Sequence, residues 1–305
     1  MNSEVWTRTF IYVSLLLMGY FGKRLGAFHR EDTRFISRVV LNLTMPAAVI
    51  NGFQGVQLQP ELLWALGMGL AANALLILAG QLLFRRNTPQ DRVAVTFSIS
   101  AFNIGNFTMP FLLGLISPTG FAALCLFDIA GVITSYGVNV ALAEGCMGGA
   151  GRLKLGPLAR KMATTPVIVT YGVLVVLAAL GITLPKPVLE LTGVLGGANA
   201  FLAMLSIGIL FELHLPRENL RTAVKVLVLR YGICAALLAV VLLLVPVTEE
   251  MKLALCVVLM APCASSAPMM TEAYGGSGSL AAGINSANLP VGIALMTLVL
   301  SLLSR

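Results

Sequence analysis

Two apolar stretches of this chain are interrupted where an ordinary membrane helix would run on: residues 101–110 read AFNIGNFTMP and residues 261–268 read APCASSAP. Each interruption lies mid-way through a segment long enough to cross a bilayer, which takes about 20 mostly apolar residues. A proline inside a helix removes one backbone hydrogen bond and clashes with the carbonyl of the preceding turn. In hydrocarbon the freed backbone groups must face protein or a water-filled cavity. Pro110 and Pro268 stand about half the chain apart. One such proline reads as a kink, but a matched pair of breaks rich in Asn and Ser is the pattern of a secondary transporter's binding site.

The rest of the chain fits a membrane setting. With 58% hydrophobic and 11% charged residues and a mean hydropathy of +0.91, it is far more apolar than a soluble domain. Apolar runs predict ten spans, near 5–22, 35–53, 62–84, 93–116 and 121–143, then 166–184, 188–211, 223–245, 253–274 and 280–303. The first reads as a span rather than a secretory leader, because Glu4 and Arg8 make a poor basic start and no small-x-small cleavage site follows.

Charge orients these spans. Lys23 to Arg38, Arg85 to Arg92, Arg152 to Lys161 and Arg217 to Arg230 put sixteen of the 20 basic residues on one side, leaving Arg8, Lys186, Lys252 and Arg305 for the other. The positive-inside rule makes the first side cytoplasmic, with both termini and the connections near Gln57 and Thr119 outside. The net charge of +7 is thereby a topology signal, and no nucleic-acid partner is needed to explain it.

Five spans per half invert the second half relative to the first. We divide the chain into a first five-helix repeat (1–143), a glycine-rich basic cytoplasmic linker (144–165) and a second five-helix repeat (166–305). Aligned, Arg92 answers to Lys252, Pro110 to Pro268 and Phe121 to Leu280. The predicted fold class is an all-α polytopic membrane protein in which the broken helices 4 and 9 cross at the midplane.

The broken fourth span FNIGNFTMPF, the ninth span MAPCASSAPMMTEAYGG, the second-span run NLTMPAAVI and the tenth-span run NSANLPVGI together resemble the auxin efflux carrier family. That family includes plant auxin carriers and bacterial permeases suggested to move malonate or malate, and it shares the fold of the bile acid/sodium symporters. The resemblance implies a scaffold of helices 1, 2, 6 and 7, a mobile transport domain of helices 3–5 and 8–10, and an elevator-like motion. It also implies homodimers formed through the scaffold. The chain departs from the family pattern at FTMP, where a glycine commonly precedes the proline, and at Asn285 and Asn288, where hydroxyl residues are commoner.

Depth can be compared from the short turns that join adjacent spans. The turn 117–120 sets Asp128 level with about Met109 and Asn106 with Gly131, and the turn 275–279 sets Asn288 near Ser266. Asn103, Asn106, Asp128, Ser265, Ser266, Asn285 and Asn288, with Pro110 and Pro268 shaping the breaks, form the predicted substrate and ion site. Asp128 is the one acidic residue deep in a span, where a charge is costly unless paired, hydrated or protonated. Its alternative role is structural, satisfied by Ser135, Tyr136 or the Asn groups. The reading is a proton-coupled carrier of a small organic anion, a mono- or dicarboxylate, in a bacterial inner membrane. Sodium at the same polar belt is the alternative coupling ion, and a channel or ligand sensor is the alternative function.

Other residues carry less. Arg230 sits about 10 Å into the eighth span and is expected to snorkel to the cytoplasmic surface. His29 and His214 fall in connections, and Tyr274 reads as an interfacial anchor. Five cysteines without a CxxC pair suggest neither a disulfide framework nor a metal cluster, and no cofactor is implied. An intramembrane enzyme is disfavoured, because no HExxH helix, Ser/His dyad or facing pair of aspartates is visible.

Overall fold

The computed structural model describes residues 2–56, 58–212 and 217–303; Gln57, His214 and Arg305 lie outside the described residues. In chain order the helices are α1 (Asn2–Arg24), α2 (Asp32–Gly52), α3 (Pro60–Leu83), α4 (Pro89–Ile99), α5 (104–112), α6 (Pro118–Cys146) and α7 (Leu155–Thr164). They continue with α8 (Pro166–Ala179), α9 (Lys186–Leu210), α10 (Glu218–Leu244), α11 (Glu249–Leu259), α12 (Ala267–Ala273) and α13 (Gly278–Leu303). Among the described residues there is no strand, only one isolated antiparallel bridge between Phe102 and Cys263.

Local chemistry sets where several of these helices begin. Thr88, Ser117 and Thr248 each accept a hydrogen bond from the backbone N–H three residues on, and Pro89 and Pro118 follow two of them. A hydroxyl cap satisfies one of the orphan first-turn amides, worth about 1 kcal/mol, and a first-turn proline loses no helix bond.

Six helices, α2, α3, α6, α9, α10 and α13, are long and apolar enough to cross a membrane unbroken. The segments 89–112 and 249–273 do not count among them, because each is cut into two pieces too short to span alone. Helix α8 is short as well, and α7 precedes it at a bend of 76°. Thr165, held extended before Pro166, makes that bend, since proline disfavours helical backbone in the residue before it. The linker 144–165 therefore contains an amphipathic helix, where composition alone reads as loop.

Amides and a guanidinium are buried within a largely apolar core, while many large apolar side chains face outward. Phe10, Val228 and Leu243 are at least two-thirds exposed, whereas Asn73, Asn103, Asn139, Asn288 and Arg230 are buried. Burying charge and amide while exposing Phe and Leu is costly in water and is what a bilayer solvent rewards.

Glycines let certain backbones touch. A Cβ on Gly208 would collide with the Leu16 carbonyl oxygen, and one on Gly196 would meet the Ala48 nitrogen at 2.8 Å, so α9 lies directly on α1 and α2. Likewise a Cβ on Gly69 would meet the Phe127 oxygen at 3.1 Å, and one on Gly292 the Pro262 nitrogen at 2.8 Å, which fixes α3 on α6 and α13 on the second break.

Candidate substrate and ion site

The site is built by two chain breaks that meet. Helix α4 stops at Ile99 and α5 starts at Ile104; α11 stops at Leu259 and α12 starts at Ala267. Part of the freed backbone is satisfied across the two breaks and part by side chains of neighbouring helices. Asn103 N donates to Pro262 O at 2.8 Å and Ala264 N to Ala101 O at 3.3 Å, pairing the two breaks as a single antiparallel bridge. Ala101 N donates to Asn73 Oδ1 from α3 at 2.9 Å, and Cys263 N donates to Asn288 Oδ1 from α13 at 2.9 Å. These amides act as replacement partners for backbone that no helix can satisfy.

The breaks do not fall at the prolines. In the first, the irregular segment precedes Pro110 by several residues, because a wide turn at Ile104–Thr108 carries the chain into the proline without a clash. Ala101 takes the positive φ of 59° there, the only non-glycine to do so among the described residues. In the second, Pro268 sits in the first turn of α12, where its missing N–H costs nothing. Neither proline lines the cavity described next, and Pro110 instead offers its carbonyl to the Tyr12 hydroxyl at 2.6 Å.

Beside the crossing lies a cavity of about 150 Å³, lined by Asn103, Asn106, Asp128, Gly131, Ser135, Tyr136, Ser265 and Ser266, and also by Met45, Thr165 and Ile168. It is smaller than the roughly 300–1,000 Å³ of pockets for drug-sized ligands. Asn103 Nδ2 donates to Ser265 Oγ at 2.7 Å, so one residue from each break forms a shared polar wall. Asp128 is the one charged side chain on that wall.

Residues 6–147 match the model of a family described as Membrane transport protein. This stretch carries the first break, Asp128 and everything up to the linker. Over that stretch, somewhat less than half of the chain, the protein is similar to the membrane transport (auxin efflux carrier) family. No curated protein matches the chain closely enough to add a relative. The second break lies outside the matched stretch, and its connection to the first is made by tertiary contacts.

Two sequence expectations need correction. Asp128 is not held by Ser135, Tyr136 or the Asn groups: Tyr171 of α8 donates its hydroxyl to Asp128 Oδ2 at 2.9 Å and lies 3.4 Å from Met109 Sδ. Sequence reasoning passed over Tyr171 because a tyrosine in an apolar span has no local signature.

Arg230 does not snorkel. It is fully buried and donates to Ile99 O and, at 3.2 Å, to Ala261 O, while its Cζ stands 4.3 Å from the centre of the Phe102 ring. The expectation rested on distance along the helix, whereas the crossing helices offer carbonyls in the interior that are as good as water.

The remaining candidates divide. Asn285 lines a smaller adjoining cavity with Ser265 and Ser286, and its Oδ1 accepts from Cys263 Sγ at 3.2 Å. Asn288 is buried and also accepts from Tyr231 OH at 3.1 Å, so its oxygen holds structure. His29 is exposed near Asp32. Tyr274 is half-buried, with its ring 5.8 Å from that of Phe97. Among the described residues no His, Cys, Asp and Glu group could hold a metal ion.

Proposed function

We propose that this carrier moves a small organic anion together with a proton, by an elevator-like motion. The observation that carries the reading is the cavity: break residues of both halves line it, and its single charged wall residue is a carboxyl. An anion entering beside an ionised Asp128 would meet a like charge in a low-dielectric space, and binding is favoured once the carboxyl takes a proton. Substrate and proton then travel together. The cavity also lies at the start of α5, and helix N-termini favour negative charge.

Ten spans follow if α1, the two broken segments and α8 are counted with the six unbroken helices. Contacts between the connections support that count and its inverted halves. Lys23 and Arg30 meet Phe211 and Glu212, and Gln90 meets Ser277, all expected on the cytoplasmic side. Gly120 approaches the Glu250 carbonyl, both expected outside. The family reading favours a carrier over an enzyme, and the basic asymmetry favours an inner membrane with both termini outside.

The glycine contacts support a moving part. Every close backbone approach between glycine and another span falls within helices 1, 2 and 7 (α1, α2, α9), or within the spans built from α3 to α6 and α10 to α13. Between these blocks the contacts are made by side chains, among them Met45 on Gly105, Phe121 on Gly52, Thr9 on Thr297, and Arg8 and Tyr12 on carbonyls of the first broken span; α8 adds the Tyr171 to Asp128 bond. Side-chain contacts can be exchanged in a slide, and backbone interdigitation cannot.

Reconstitution tests the proposal. Proteoliposomes offered a panel of labelled mono- and dicarboxylates in the external medium should accumulate at least one against its gradient when a pH gradient is imposed. Accumulation driven by sodium alone would transfer the coupling to sodium, and equilibration without accumulation would make the protein a channel.

A further inference from the structure

Arg230 is the largest fully buried side chain, and the transport reading above gives it no task. Among the described residues no carboxylate lies within ion-pair distance of it. Its compensation comes from three other sources. Ile99, whose carbonyl it binds, is the last residue of α4; Ala261, whose carbonyl it also binds, lies just past the end of α11. Both are helix C-termini, where the backbone carries partial negative charge. The face of Phe102 covers the guanidinium from a third direction.

Two converging carbonyl ends and an aromatic face are what a desolvated cation needs, and unwound carbonyls at a helix crossing are where a carrier would otherwise hold a coupling cation. Here the place is taken by a planar, permanently charged group with donors enough to reach both carbonyls at once. Phe102 also contributes to the wall of the polar cavity. We propose that Arg230 is a tethered cation that fills the crossing of the two broken helices, so that the protein binds no sodium there. Arg230 is in this sense a positioning residue: it holds the two C-terminal ends together and keeps the crossing neutral in the absence of a mobile ion.

The inference deepens the coupling part of the proposed function and rests on it for that consequence, leaving coupling to the Asp128 carboxyl. Its test needs no transported substrate, so a failed uptake assay and a failed tethered-cation assay are separate results. Purified full-length protein is assayed for radioactive sodium binding and for its thermal midpoint in sodium chloride against choline chloride. Wild type should show no saturable sodium binding and equal midpoints. Arg230→Ala should lower the midpoint by several degrees, and millimolar guanidinium chloride should return most of that loss while leaving wild type unchanged. Arg230→Gln, which keeps a donor and loses the charge, takes the same two readouts if the alanine variant does not accumulate. Saturable sodium binding by wild type would overturn the proposal, and this arm decides alone if neither variant can be purified. So would variants as stable as wild type, or a loss of stability that guanidinium does not touch.

Discussion

Asp128 shows how a single side chain can be placed by sequence and still be misjudged in its partners. Its depth followed from counting residues back from the turn at 117–120, and it does share the Tyr171 hydroxyl with Met109, the residue expected at its level. Tyr171 itself could not be found that way, since it comes from α8, on the far side of the linker. Two outcomes follow for the carboxyl. Asp128→Asn keeps the shape and cannot cycle a proton, so gradient-driven accumulation should vanish while the protein stays folded and exchanges substrate; pH-driven uptake like that of wild type would make the carboxyl irrelevant. Tyr171→Phe removes one hydrogen bond to a charged or polar acceptor, worth about 1–2 kcal/mol, and should change the uptake rate about tenfold with little effect on expression. An unaltered rate would show that the bond is incidental.

At the scale of elements, the broken helices are stabilised because several lost helical bonds are replaced by specific partners. Ala101 is the tightest point. A non-glycine residue at positive φ costs of the order of 1 kcal/mol, and a β-branched one more. Ala101→Gly should match or exceed wild type in thermal stability, and Ala101→Val should lower it; the reverse order would mean that the φ is relaxed in the membrane. The breaks should also act as one unit. Asn106→Ala and Ser266→Ala should each weaken substrate binding more than Leu177→Ala, and a double-mutant cycle should give coupling above about 0.5 kcal/mol because both line one cavity. Strictly additive losses would separate the two breaks.

For the whole molecule, two measurements address orientation and motion. In a cysteine-free background, a cysteine at Thr119 should react with an impermeant reagent from outside, and cysteines at Thr88 or Gly151 should not; labelling of all three from one face would end the ten-span model. A cross-link between Met45→Cys and Gly105→Cys joins the two blocks and should arrest uptake. The same double variant kept reduced, which lacks the cross-link, should leave uptake intact. Equal uptake in the two states would argue against a slide between the blocks.

Much of this protein was legible in its residues because the bilayer is a severe solvent. Apolar runs, basic asymmetry and the two interruptions AFNIGNFTMP and APCASSAP each follow from what hydrocarbon forbids, and those constraints act on the chain segment by segment. Asn103, Asn106, Ser265 and Ser266 could be named as break residues for that reason. Three-dimensional packing alone decided which groups satisfy the broken backbone. Asn73 and Arg230 reach the breaks from other helices, and such partners leave no periodicity, spacing or composition to read. Arg230 marks the limit most clearly, since its position along α10 pointed to the surface. Its burial depends on two helix ends, distant in sequence, converging on one point, which is a property of the folded molecule and of no segment within it.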